Sequence, residues 1–117
     1  MTLGSAENLL AVLQNVAETV DARAASADKE SSYTAKLLAK GPERCAKKLG
    51  EEAVELAIAL SAQSDEEVSS ETADLLFHLL VALRSRGVSL NQVANVLADR
   101  QGVSGLVEKA SRSGDGV

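Results

Sequence analysis

A chain of 117 residues has room for one compact domain, and its single Cys excludes an intramolecular disulfide and any cysteine-rich zinc site. One Phe, one Tyr and no Trp, in a chain rich in Ala and Leu with a single Pro, favour helices over sheets. A net charge of −5 weighs against a nucleic-acid binder, which would carry a basic face, but leaves phosphorylated small molecules open because a bound cation reverses the local field.

The opening Met-Thr-Leu-Gly has neither a basic segment nor an apolar run of the secretory kind. The longest apolar stretch, Leu75 to Leu83, is interrupted by His78 and is too short to span a membrane. A soluble cytoplasmic protein with no membrane partner is the expectation. Cys45 is expected to pack as a small apolar residue.

In chain order, Ser5 is placed to cap a first helix reaching Asp21 to Ala25, with Leu9, Leu10, Leu13, Val16 and Val20 on its apolar side. Ala24 to Ser32 reads as a loop. A short helix follows from Ser31 or Ser32 to Lys40, stopped by Gly41-Pro42, which also opens the next one. That helix, Pro42 to about Ala62, carries Cys45, Leu49, Val54, Leu56, Ile58 and Leu60 on several faces, which predicts burial on several sides.

Ser64-Asp65-Glu66-Glu67 is a capping-box pattern opening a helix to about Arg86, stopped by Gly87. Ser89-Leu90-Asn91-Gln92 is another, starting a helix to about Gln101 that is packed by Leu90, Val93, Val96 and Leu97. A short helix over Ser104 to Arg112 and a frayed tail over about 113–117 complete the reading. The expected fold is all-α: a bundle of four to five helices in one domain over 1–117, completed by dimerisation because so short a chain builds a modest core.

Three carboxylates, Glu51, Glu52 and Glu55, directly follow Lys47 and Lys48. At roughly 100° per residue, Lys48, Glu52 and Glu55 share a stripe, with Glu51 at its edge. The next helix repeats the i,i+3 spacing with Glu71 and Asp74, on a stripe continued by His78. Most helical Glu clusters are merely solvated. These, however, lie on helices with little other polar surface, where unpaired carboxylates are costly. Two such pairs on helices packed antiparallel suit a hard divalent cation such as Mg²⁺.

Lys36, Lys40, Arg44, Lys47 and Lys48 gather positive charge upstream of the acids. Each alone reads as a solvated residue, some in i,i+4 pairs such as Lys48 with Glu52. Together with a cation site they are the arrangement that polyphosphate chemistry needs. A lone buried His is more often a hydrogen-bonded core residue than a catalyst, and the i,i+4 relation of His78 to Asp74 leaves a supporting or substrate-contacting role open. The chain carries no Gly-rich phosphate loop, Ser-His-Asp set or Cys-His pair.

Four segments, Ser32 to Leu38, Gly41 to Arg44, Lys47 to Glu55 and Glu71 to Leu80, resemble phosphoribosyl-ATP pyrophosphatases of histidine biosynthesis, as do Ser104-Gly105 and Glu108 to Arg112. Each motif is weak alone, but the ordered series is specific and covers nearly the whole chain. Cys45, where an aliphatic residue is expected, and a poorly matching first helix depart from the pattern.

The resemblance implies the all-α nucleoside-triphosphate pyrophosphohydrolase fold; a homodimer is expected because the few helices of one chain can barely enclose both metal and nucleotide. It implies Mg²⁺ at Glu52, Glu55, Glu71 and Asp74, and catalytic work by Glu51, Glu52 and Glu55. The implied reaction is hydrolysis of phosphoribosyl-ATP to phosphoribosyl-AMP and pyrophosphate by metal-activated water. Lys36, Arg44, Lys48 and His78, with Lys109 and Arg112 in a second tier, are the expected substrate contacts. A general house-cleaning nucleoside-triphosphate pyrophosphohydrolase and a non-enzymatic helical dimerisation module are the competing readings.

Overall fold

A computed structural model of the chain describes residues 1–26 and 32–102, which form five helices: α1 (Glu7–Ala25), α2 (Tyr33–Ala39), α3 (Pro42–Ala62), α4 (Asp65–Arg86) and α5 (Leu90–Gln101). The chain divides into two compact units, Met1–Gly87 and Val88–Val117. Among the described residues there is no strand, and no helix is long and apolar enough to cross a membrane.

The first unit is organised on the α3–α4 hairpin. Pro42 occupies the first turn of α3, where its missing N–H is no loss, and Glu43 beside it complements the helix dipole. Ser64 caps α4, its hydroxyl accepting from the Glu67 N–H at 3.3 Å and donating to the Glu67 carboxylate at 3.2 Å. Gly87 closes α4 at φ +70°, a left-handed conformation that a side chain would strain. With only Gln63 and Ser64 between them, α3 and α4 pack antiparallel along their lengths, and α1 and α2 lie against this pair.

The small core consists of Val20 from α1, Leu37 from α2, Cys45 from α3 and Val81 from α4, with Val16, Leu38, Phe77 and Ala82 packed against it. Cys45 is fully buried, its thiol directed at the Leu37 carbonyl at 3.5 Å, so it behaves as the small packing residue expected. Arg84 of α4 reaches Asp21 of α1 at 2.9 Å.

Three sequence expectations are corrected. The helix-capping residue of α1 is Ala6 and not Ser5, whose hydroxyl accepts from the Glu7 N–H at 3.3 Å; α1 buries only Val20 and leaves Leu9 and Leu10 exposed. Apolar residues around α3 do not bury it on every side. Only Cys45, Glu52 and Ala59 are buried, while Val54, Ile58 and Leu60 are exposed, because α2 and α4 cover only part of its circumference. In the second unit, Ser89 and Gln92 form the expected reciprocal capping box at 3.1 and 2.8 Å, yet none of the described residues of α5 is buried, Leu90, Val96 and Leu97 being exposed. The helix expected over Ser104 to Arg112 lies outside the described residues.

Candidate active site

The hairpin brings together three of the four carboxylates singled out for metal binding. Glu52 and Glu55 lie one turn apart on α3 and face Glu71 on α4, each offering an oxygen within 4.8 Å of the other two. Burial falls across the group: Glu52 is buried, Glu71 half-buried and Glu55 exposed. Glu52 Oε2 and Glu71 Oε2 are both shielded from solvent and have no hydrogen-bond partner among the described residues. Asp74, one turn beyond Glu71, is exposed and stands outside the trio.

A buried carboxylate oxygen without a donor is several kcal/mol less favourable than one in water, to order of magnitude. The local electrostatics show the same imbalance. The Glu52 charge pushes the Glu55 carboxyl above its ordinary value, with burial and the Glu71 charge adding to the effect. Among the described residues, only one cation answers these acids. Lys48 lies 3.3 Å from Glu52 Oε1 and 3.7 Å from Glu51 Oε2. Its hydrogen bond with Glu52 is the main reason its ammonium is held above the ordinary lysine value, so it is charged throughout the physiological range. Carboxylate oxygens in a convergent, under-neutralised group are the donor set for a hard divalent cation, and the two orphaned oxygens are where its charge would be felt most.

Beside this trio a second feature opens toward the N-terminal end of α3. A cleft of about 270 Å³ is lined by Tyr33 and Leu37 of α2, by Lys40, and by Arg44, Lys47, Lys48 and Glu51 of α3. It gathers Arg44 and Lys48 as the sequence suggested; Lys36, exposed on α2, is not among its lining residues. Lys109 and Arg112 lie outside the described residues.

His78 is buried, and both of its ring nitrogens are engaged within the chain. Nδ1 is 2.8 Å from the Asp74 main-chain carbonyl, and Nε2 is 3.0 Å from the Tyr33 hydroxyl. A carbonyl only accepts, so Nδ1 carries the proton and Nε2 accepts from Tyr33. The partner at Asp74 is therefore the backbone and not the carboxylate that i,i+4 spacing suggested. Phe77 and Tyr33 meet the imidazole edge-on at 5.1 and 5.9 Å. Tyr33 is a site residue that sequence reasoning passed over; its only signal was its place in the Ser32 to Leu38 segment.

An all-α hairpin that concentrates carboxylates on facing helices and cations at one end suits a class of protein, the metal-dependent hydrolases of phosphoric anhydrides. Residues 13–101 match the family described as phosphoribosyl-ATP pyrophosphohydrolase. The phosphoribosyl-ATP pyrophosphatase 1 of Rhodopseudomonas palustris is 61% identical over 88% of this chain and 95% of its own. A phosphoribosyl-ATP pyrophosphatase of Cereibacter sphaeroides is 53% identical over 88% of this chain and 99% of its own, and the phosphoribosyl-ATP pyrophosphatase 1 of Bradyrhizobium diazoefficiens is 54% identical over 86% and 93%. The chain belongs to the phosphoribosyl-ATP pyrophosphohydrolase family.

Proposed function

We propose that the chain hydrolyses phosphoribosyl-ATP to phosphoribosyl-AMP and pyrophosphate, the second step of histidine biosynthesis, using Mg²⁺ held by Glu52, Glu55, Glu71 and Asp74. The observation that carries this reading is the pair of partnerless buried oxygens, Glu52 Oε2 and Glu71 Oε2, in a chain of this family. Bound there, Mg²⁺ would neutralise triphosphate charge and acidify a water for attack on phosphorus.

The residues divide the remaining work. Glu52, the most buried acid, anchors the cation and orients Lys48. Glu51 and Glu55, both exposed, are the groups able to accept a proton from the attacking water. Lys48, with Arg44 and Lys36, meets the negative charge of the substrate's phosphate groups; Lys109 and Arg112 add a second tier. His78, with both nitrogens engaged, serves substrate binding by fixing the Tyr33 hydroxyl.

The active unit in this reading is a homodimer. Val54 and Ile58, one turn apart on α3, are exposed, and a groove of about 450 Å³ between the N-terminal half of α3 and the end of α4 includes Ala46, Leu49, Ala53 and Ala82. A second copy would cover one or both of these apolar surfaces, which one small unit leaves open.

Pyrophosphate release from phosphoribosyl-ATP, with and without Mg²⁺, tests the proposal in the wild type and in Glu52→Gln. Normal turnover by the variant would remove the site assignment. A strong preference for deoxynucleoside triphosphates in a substrate panel would favour the house-cleaning alternative, and light scattering reports the dimer.

A further inference from the structure

The cleft on α2 and α3 has a use that the carboxylate trio does not explain. It brings four cations, Lys40, Arg44, Lys47 and Lys48, against a single acid, Glu51. That acid and Lys48 already belong to one ion-pair group with Glu52. Among the described residues, no ion pair involves Lys40, Arg44 or Lys47. Three uncompensated cations around one concavity repel one another, and a doubly charged anion relieves that repulsion.

The rest of the lining narrows the anion's class. Buried Leu37 and the half-exposed ring of Tyr33 supply an apolar wall, and the Tyr33 hydroxyl is pinned by His78 Nε2 at 3.0 Å. A bare polyphosphate has no use for such a wall. A sugar phosphate does, because its ring packs on apolar and aromatic surface while its phosphate takes charge-assisted bonds from Lys and Arg. The position fits as well: Lys48 lines the cleft and reaches the metal-binding trio, so the two sites abut without sharing their other residues.

We infer that this cleft binds the phosphate monoester and ribose of the substrate's phosphoribosyl group, with Lys40 and Lys47 as specificity residues and Tyr33 as the positioned wall. The inference rests on the proposed substrate, which has two anionic ends. The triphosphate is met by the cation site, and the monoester needs cations of its own. Recognition of that second end separates this substrate from an ordinary nucleoside triphosphate.

The test is competitive inhibition of pyrophosphate release by ribose 5-phosphate and, separately, by inorganic pyrophosphate, in the full-length wild type and in a Lys40→Ala/Lys47→Ala variant. Both lysines are exposed, so the variant is expected to fold, with circular dichroism as the check. The double substitution is expected to weaken inhibition by ribose 5-phosphate about tenfold or more and to raise KM for phosphoribosyl-ATP by a similar factor, with kcat within about twofold. Pyrophosphate inhibition should change far less. Equal weakening of both inhibitors, or no change in either, overturns the assignment.

If the wild type does not cleave phosphoribosyl-ATP, the proposed reaction fails. The cleft is then judged by direct NMR titration of the wild type with ribose 5-phosphate. Amide shifts centred on Lys40, Arg44 and Lys47 support a sugar-phosphate site, and their absence removes it.

Discussion

Two stretches of α3, less than three turns apart, hold opposite and unequal surpluses of charge. Toward the N-terminus, Arg44 and Lys47 line an open cleft and form no ion pair among the described residues. In the middle, Glu52 is buried, and with Glu55 it faces Glu71 across the hairpin. The difference lies in solvent access. Exposed cations are screened by water and salt and cost the fold little, whereas clustered carboxylates that include buried oxygens raise one another's proton affinity and require a counter-charge. Lys48, bonded to Glu52 and lining the cleft, joins the two regions. The acidic region is thus suited to a divalent cation, and in the proposed reading the basic one takes an exchangeable anion.

The largest effect should come from the buried member of the acidic region. Glu52→Gln keeps the shape and removes the charge, and kcat for pyrophosphate release should fall about 10²- to 10³-fold. The same substitution should leave the metal-free protein as stable as the wild type or more so, because it relieves repulsion on Glu55; thermal unfolding without metal checks this. A marked loss of apo stability would show that the trio is a structural network instead.

Cutting the link between the regions comes next. Lys48→Ala should lower kcat/KM by about tenfold or more, since a phosphate cation and the partner of Glu52 are lost together. Its cost in stability should be small, because the lysine is partly solvated and its ion pair is screened.

Metal itself should discriminate the regions. Mg²⁺ at about 100 times its dissociation constant adds about 2.7 kcal/mol to the folded state, a rise of several degrees in Tm. Chelation should abolish both this rise and activity. Neither response should be affected by Lys40→Ala/Lys47→Ala.

The smallest effect is a pH slope. The Glu55 carboxyl is raised above its ordinary value of 4.5, chiefly by Glu52, so the folded state binds this proton more tightly than the unfolded chain does. Its contribution to stability is complete below 4.5 and is lost as pH rises through the raised value. Metal-free protein should therefore lose stability from this group as the pH rises, while Mg²⁺, which takes the proton's place, binds more tightly. The Tm difference with and without Mg²⁺ should widen as the pH rises above 4.5, and Glu55→Gln should flatten that change.

The limits of α3 and α4 follow from local chemistry, in Pro42 and Glu43 at one helix start, Ser64 and Glu67 at the next, and Gly87 at the stop. The trio was equally legible, because spacing of three residues places side chains on one face wherever a helix forms, and a two-residue connection leaves α4 little choice but to run back along α3. Asp74 satisfied the same arithmetic yet stands outside the group, since a stripe specifies an angular sector and not convergence on a point.

From sequence alone came the helices, their caps, the acidic stripes and the family resemblance, all of which depend on neighbours within a turn or on an ordered series of motifs. Only tertiary structure decided which faces stay open, as at Val54 and Ile58, and which oxygens lose their water without gaining a donor, as at Glu52 and Glu71. It also joined Tyr33 to His78 across 45 positions of the chain and so walled the basic cleft. Burial and partnership between distant residues are set by packing, and no local pattern encodes them.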